Sequence, residues 1–224
     1  KTSDRMILAA AALLACAAFS GPAAADDAAQ TQPGAPAASP AAAPMDAQAA
    51  ISSWPDKTKS AARAMIDKYG PPQVVTDKLL AWNDKDPWTM VGVYRDAVPH
   101  EQPLPHDDFI VNKIDYAVPA DKVAALAHFD PDLVIDQARG TLAAHSDSEQ
   151  HNTLALNLAN EIVAGKRGVA SARGFLKKTL EESMAGKSSP YTERLMFTPQ
   201  ANGAAPVEEN APTENPAAEP ETQP

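Results

Sequence analysis

At 224 residues the chain can hold one domain or two small ones, but 21 prolines and an aromatic content of 5% exclude one compact fold over its whole length. The formal charge of −10 is unevenly spread: residues 51–197 carry 17 Lys and Arg against 20 Asp and Glu, while residues 198–224 add five glutamates and no base. A near-neutral centre with acidic flanks lacks the clustered cations that displace counterions from a phosphate backbone, so nucleic acid is excluded as a partner.

Residues 1–25 read as an export signal. Lys1 and Arg5 precede an apolar stretch over residues 6–19, too short for a membrane span of about 20 residues. Ala23-Ala24-Ala25 has the small-x-small form that places cleavage after Ala25. A competing pattern, Leu13-Leu14-Ala15-Cys16, is similar to a bacterial lipobox and would make Cys16 a lipidation site. Both patterns put the rest of the chain outside the cytoplasm, periplasmic, secreted or lipid-anchored. Cys16 is the single cysteine, so no internal disulfide forms and apolar burial must carry the fold. Residues 26–50 form an Ala/Pro/Gln linker without large apolar side chains, which predicts disorder.

A globular region is expected over residues 51–197. Ser53 caps a first helix with Trp54, Thr58, Ala61, Ala62, Met65 and Tyr69 on one face, and Gly70 with Pro71-Pro72 ends it. Two extended runs follow, over residues 74–82 and 88–95, joined by a polar five-residue connection that suits a hairpin. This order of helix, Gly-Pro-Pro and hairpin resembles small outer-membrane assembly lipoproteins of the BamE type, a resemblance that covers about 40 residues and rests on no specific side chain.

Residues 96–108 read as a proline-stiffened loop, and residues 109–118 as a third strand. A short helix over residues 120–128 precedes a fourth strand over residues 133–145, where the spacing puts Asp136 and Arg139 on opposite faces. Ser146 and Glu149 read as a capping box that opens an apolar helix to residue 164. On this helix Leu154, Ala155, Leu158 and Ile162 face inward, whereas Asn157 and Asn160 project to solvent. A short Gly-rich link leads to an outer helix over residues 169–185 with Val169, Ala172, Leu176, Leu180 and Met184 on its stripe. Residues 198–224 are an acidic Pro-rich tail, disordered by composition. The fold class is therefore α+β: a small antiparallel sheet of about four strands packed against an N-terminal helix and a C-terminal helical hairpin.

The stretches PHEQPLPHDD, LALNLANEIV and SPYTERLMF resemble uncharacterised secreted or cell-envelope proteins of bacteria, a likeness that spans residues 51–197 and implies no assigned activity.

No Walker loop, G-x-G-x-x-G, G-x-S-x-G or H-E-x-x-H occurs, and no catalytic residue is assigned. The histidines are the neutral-pH acid–base groups, and they cluster with acids twice: His100, Glu101, His106 and Asp107 or Asp108 in the stiff loop, and His145 to His151 around the helix start. The pattern points to a non-catalytic binding module of the cell envelope, without a cofactor, that holds an envelope protein or a small ligand. The alternative is a metal-binding protein or metal-dependent hydrolase that places a divalent metal such as zinc on His100, His106, Asp107, His145 and His151.

Overall fold

The computed structural model describes residues 46–200. The export signal with Ala25 and Cys16, most of the linker and nearly all of the tail lie outside the described residues. The class is α+β, built on one antiparallel sheet. Its strands number six rather than about four: β1 (Val74–Val75), β2 (Leu79–Lys85), β3 (Trp88–His100), β4 (His106–Asp115), β5 (Val134–Asp136) and β6 (Thr141–Ser146), in the order β1-β2-β3-β4-β6-β5.

Side-chain alternation gives the sheet its buried face. Leu80, Val93, Ile110 and Ser146 stand in one row across four strands, and Trp82, Val91, Asn112 and Ala144 in the next. All eight are buried. On the reverse face the strands close up around Gly92, where a Cβ would meet Val111 Cγ1 at 2.7 Å, so no larger residue fits.

The predicted fourth strand is in fact a hairpin. Gly140, at φ +65°, turns the chain between β5 and β6. Asp136 and Arg139 therefore sit in one turn and bond each other, Arg139 Nη1 donating to Asp136 Oδ2 at 2.9 Å, instead of facing apart. The run over residues 96–108 is likewise no open loop: β3 and β4 extend into it until His100 pairs with His106.

Among the described residues the sheet is joined by a 3₁₀ turn and six helices: α1 (Ala47–Ile51), α2 (Asp56–Tyr69), the turn Ala120–Lys122, α3 (Val123–Phe129), α4 (Glu149–Val163), α5 (Val169–Met184) and α6 (Pro190–Glu193). α1 begins inside the stretch whose composition reads as linker, because Asp46 caps it and Ala50 and Ile51 are buried. α2 starts after Pro55 rather than at Ser53 and packs on the sheet through Tyr69, whose ring centroid lies 6.3 Å from that of Trp82. Among the described residues no helix is long and apolar enough to cross a membrane.

α4 is buried at every position from His151 to Val163. Its cap is Ser148, whose Oγ accepts from His151 N at 3.2 Å; Ser146 instead ends β6, and its Oγ donates to Ser148 O. α5 covers one flank with Ala172, Leu176 and Thr179, while Met184 points out, 83% exposed. Asn157 and Asn160 are not solvated. The segment after α5 folds back over them through α6, so Asn157 Nδ2 donates to Tyr191 O and Arg194 O, both at 2.9 Å, and Asn157 Oδ1 accepts from Met196 N at 2.7 Å. Asn160 Oδ1 accepts from the Tyr116 hydroxyl at 2.9 Å. The returning chain reaches a parallel bridge between Tyr116 and Gln200.

Asn157→Ala is expected to lower stability by about 1–3 kcal/mol, because it leaves buried backbone groups of the 191–196 segment without partners. Thermal melting of the variant against Gln150→Ala, an exposed position on the same helix, reads this directly. Equal melting temperatures for the two would contradict the assignment.

Candidate metal centre

The end of the β3–β4 hairpin positions the histidines. Ladder pairs run Val98 with Asp108, Pro99 with Asp107 and His100 with His106, after an irregularity between Val93 and Val98. Directly opposed residues share a face, so His100 and His106 project together, their rings edge to face at 5.9 Å. Asp108 follows His106 by two residues and joins them; Asp107, between, is turned away. Asp107 Oδ2 instead accepts from Lys57 Nζ at 2.8 Å, near the start of α2.

A fourth group comes from the turn ahead of β5. Asp130 Oδ1 accepts from the backbone N–H of Asp132 at 3.0 Å and orients that residue towards the hairpin. Burial raises the carboxyl of Asp130 above the usual carboxylate range. Nitrogen and oxygen atoms of His100, His106, Asp108 and Asp132 then all lie within 4.8 Å of one another.

The contacts within this group are specific. His100 Nδ1 lies 2.6 Å from Asp132 Oδ2 and 3.3 Å from Asp108 Oδ2. His106 Nδ1 is 2.8 Å from the carbonyl of Leu104, which can only accept, so Nδ1 carries the hydrogen. In the neutral ring that leaves the Nε2 lone pair facing Asp108 Oδ1 at 3.1 Å. Two acceptors so close repel unless a cation, proton or metal, stands between them. Asp108 is 8% exposed, and its buried Oδ1 has the ion-pair contact with His106 at 3.1 Å but no well-formed hydrogen bond. A ring N–H held by a backbone carbonyl with the other nitrogen left free is the arrangement that fixes a metal-binding histidine.

His151 and His145 lie beside the group but outside it. His151, in the first turns of α4, packs its ring 4.8 Å from that of His106, with Nδ1 at 3.7 Å from Asp147 Oδ1. The neighbouring imidazole of His151 holds the Asp147 carboxyl below its usual range. His145, on β6, stacks on Tyr94 at 6.2 Å, and burial pushes its imidazole below the ordinary value, which keeps it neutral at pH 7. The structure thus brings His100 and His106 together, sends Asp107 to Lys57, and leaves His145 and His151 as neighbours. Sequence reasoning missed Asp132. Its one signal was the Asp130-Pro131-Asp132 turn, which carries no indication of what it faces.

Two clefts flank the group. One, of about 370 Å³, is lined by His100, Asp108, Asp132, Asp96, Val98 and Val134 among others. The second, of about 290 Å³, opens beside His106 and His151 with Leu180 and Met184 on its wall. Comparison of the chain with protein-family models, with curated proteins and with solved structures found no match.

Without a metal, a proton must hold His106 to Asp108. Pairing with Asp108 pushes the imidazole of His106 up to about 9, burial opposes this, and the Leu104 carbonyl assists. A value raised on folding contributes stability that is complete below the unfolded value of about 6.5 and is lost as pH rises through about 9. In a strong chelator, the melting temperature should therefore fall between pH 6.5 and pH 9, and His106→Gln should flatten that fall. A profile unchanged by the substitution would show that His106 is not the group responsible.

Proposed function

We propose that this domain binds one divalent transition-metal ion of the zinc class through His100, His106, Asp108 and Asp132, and that it serves as a non-catalytic binding module in the cell envelope. The observation that carries this reading is the buried Asp108 Oδ1, without a hydrogen bond and 3.1 Å from Nε2 of His106. A cation there satisfies both atoms at once. Two imidazoles and two carboxylates are a donor set suited to zinc, and four of them fill a tetrahedral shell. That favours binding over metal-dependent hydrolysis, which keeps a coordination position open for water. The envelope location follows from the pattern of residues 1–25, and an envelope protein or small ligand is the partner consistent with the near-neutral charge of the domain.

Titration of the full chain with Zn²⁺, followed by calorimetry and by metal analysis after gel filtration, tests the reading. About one ion per chain is expected. Asp108→Asn, His100→Ala and Asp132→Asn should each weaken binding by more than about tenfold, the loss that even an outer-sphere partner causes. Asp107→Asn should leave affinity unchanged, because that carboxylate belongs to Lys57. Wild-type protein that retains no zinc, or an Asp107 variant as impaired as the other three, would sink the assignment.

A further inference from the structure

The four donors are not equally enclosed. The side chains of His106 and Asp108 are 8% exposed, against 29% for His100 and 10% for Asp132. Both of the more open donors line the cleft of about 370 Å³. Three carboxylates, those of Asp96, Asp108 and Asp132, face that cleft, and its lining includes neither lysine nor arginine. The guanidinium of Arg95 lies 3.6 Å from Asp96 and offsets part of the field. A cleft of one sign with apolar walls, here Val98 and Val134, concentrates counter-ions at its floor.

The fold, moreover, has its own sources of order around the donors. The donors are set by strand register and by an Asx turn, and the sheet that supplies the register is sealed by its own apolar core. The cluster also closes on itself through hydrogen bonds, His100 to Asp132 and His106 to Leu104. This is unlike a small zinc domain, where the unloaded chain is unfolded and the metal supplies the folding free energy. A pre-formed site with an acidic opening lets the ion leave while the protein stays folded.

We propose that the ion is exchangeable: the domain takes up and releases its divalent cation through this acidic cleft with the fold intact, and so acts as a reversible carrier of the metal rather than as a scaffold stapled by it. The proposal rests on the metal-binding reading above. Asp96, outside the donor set and 68% exposed, is the steering carboxylate of the entry path.

Zinc-loaded full-length protein mixed with excess 4-(2-pyridylazo)resorcinol in a stopped-flow instrument measures release, and near-ultraviolet circular dichroism before and after EDTA treatment follows the fold. Transfer within seconds to minutes with the tertiary spectrum retained is the expected result. Asp96→Asn should slow zinc association on the order of twofold to tenfold at about 20 mM ionic strength, an effect that shrinks at high salt while the loaded spectrum stays unchanged. Zinc that binds but takes hours to leave, or whose removal abolishes the tertiary spectrum, overturns the carrier reading in favour of a staple. An Asp96→Asn association rate equal to wild type at low salt overturns the route. Failure of the wild-type chain to bind zinc overturns the metal centre itself, which separates the two proposals.

Discussion

The pleat of β4 is the constraint on which both the core and the histidine–aspartate cluster depend. Ile110, Asn112 and Ile114 all point to the buried face, and each is paired on the far side with a residue of β6 that points the same way. Because the side-chain period of a strand is two, a slip of one residue would turn this whole set outward and carry His106 and Asp108 with it, away from His100. The apolar face pins the register, and the register places the donors. The centre is thus a by-product of hydrophobic burial rather than a separate construction that must hold itself together.

α4 lies across that face and is surrounded on all sides, which demands partners for every polar group it carries. An unpaired buried amide or hydroxyl costs about 1–3 kcal/mol. Its asparagines meet the demand by joining elements: Asn152 donates to Ile110 O and Asn112 Oδ1 on β4, Asn157 gathers the segment around α6, and Asn160 holds the Tyr116 hydroxyl. Glu161 does likewise with Arg167 and Tyr191. At the N-terminus of the helix Glu149 accepts from Lys68, Tyr69 and Asn112, tying α2 to α4 and to the sheet. Burial and the hydrogen bond to Glu149 push the Tyr69 hydroxyl up to about 12, so it stays a donor over the physiological range. These bonds contribute specificity more than net stability, since each replaces a bond to water.

Against that background the orphaned oxygen of Asp108 is of a different kind. Asn152 Oδ1 is also buried without a partner, but it belongs to a neutral amide whose nitrogen is doubly engaged. A carboxylate carries a full charge, and a charge withdrawn from water requires a counter-charge close by. His106 supplies one only when it holds a second proton, and a divalent cation supplies one without it. A proton on His106 or a divalent cation would each satisfy that charge, and the proposed metal exchange rests on this equivalence.

Much of the chain was readable before folding, and the reason is locality. The α+β class follows from periodicity and breakers that act within a few residues. The His100–Asp108 segment likewise announced itself by its density of histidines, acids and prolines. What needed the tertiary structure was everything set by distant partners: that residues 133–145 fold back as a hairpin, that Asn157 and Asn160 are buried because the chain returns over them, that Asp107 belongs to Lys57, and that Asp132 completes the group. Each of these turns on which strand lies beside which, and a strand's neighbours are chosen by burial across the whole domain rather than by the residues adjacent to it in sequence.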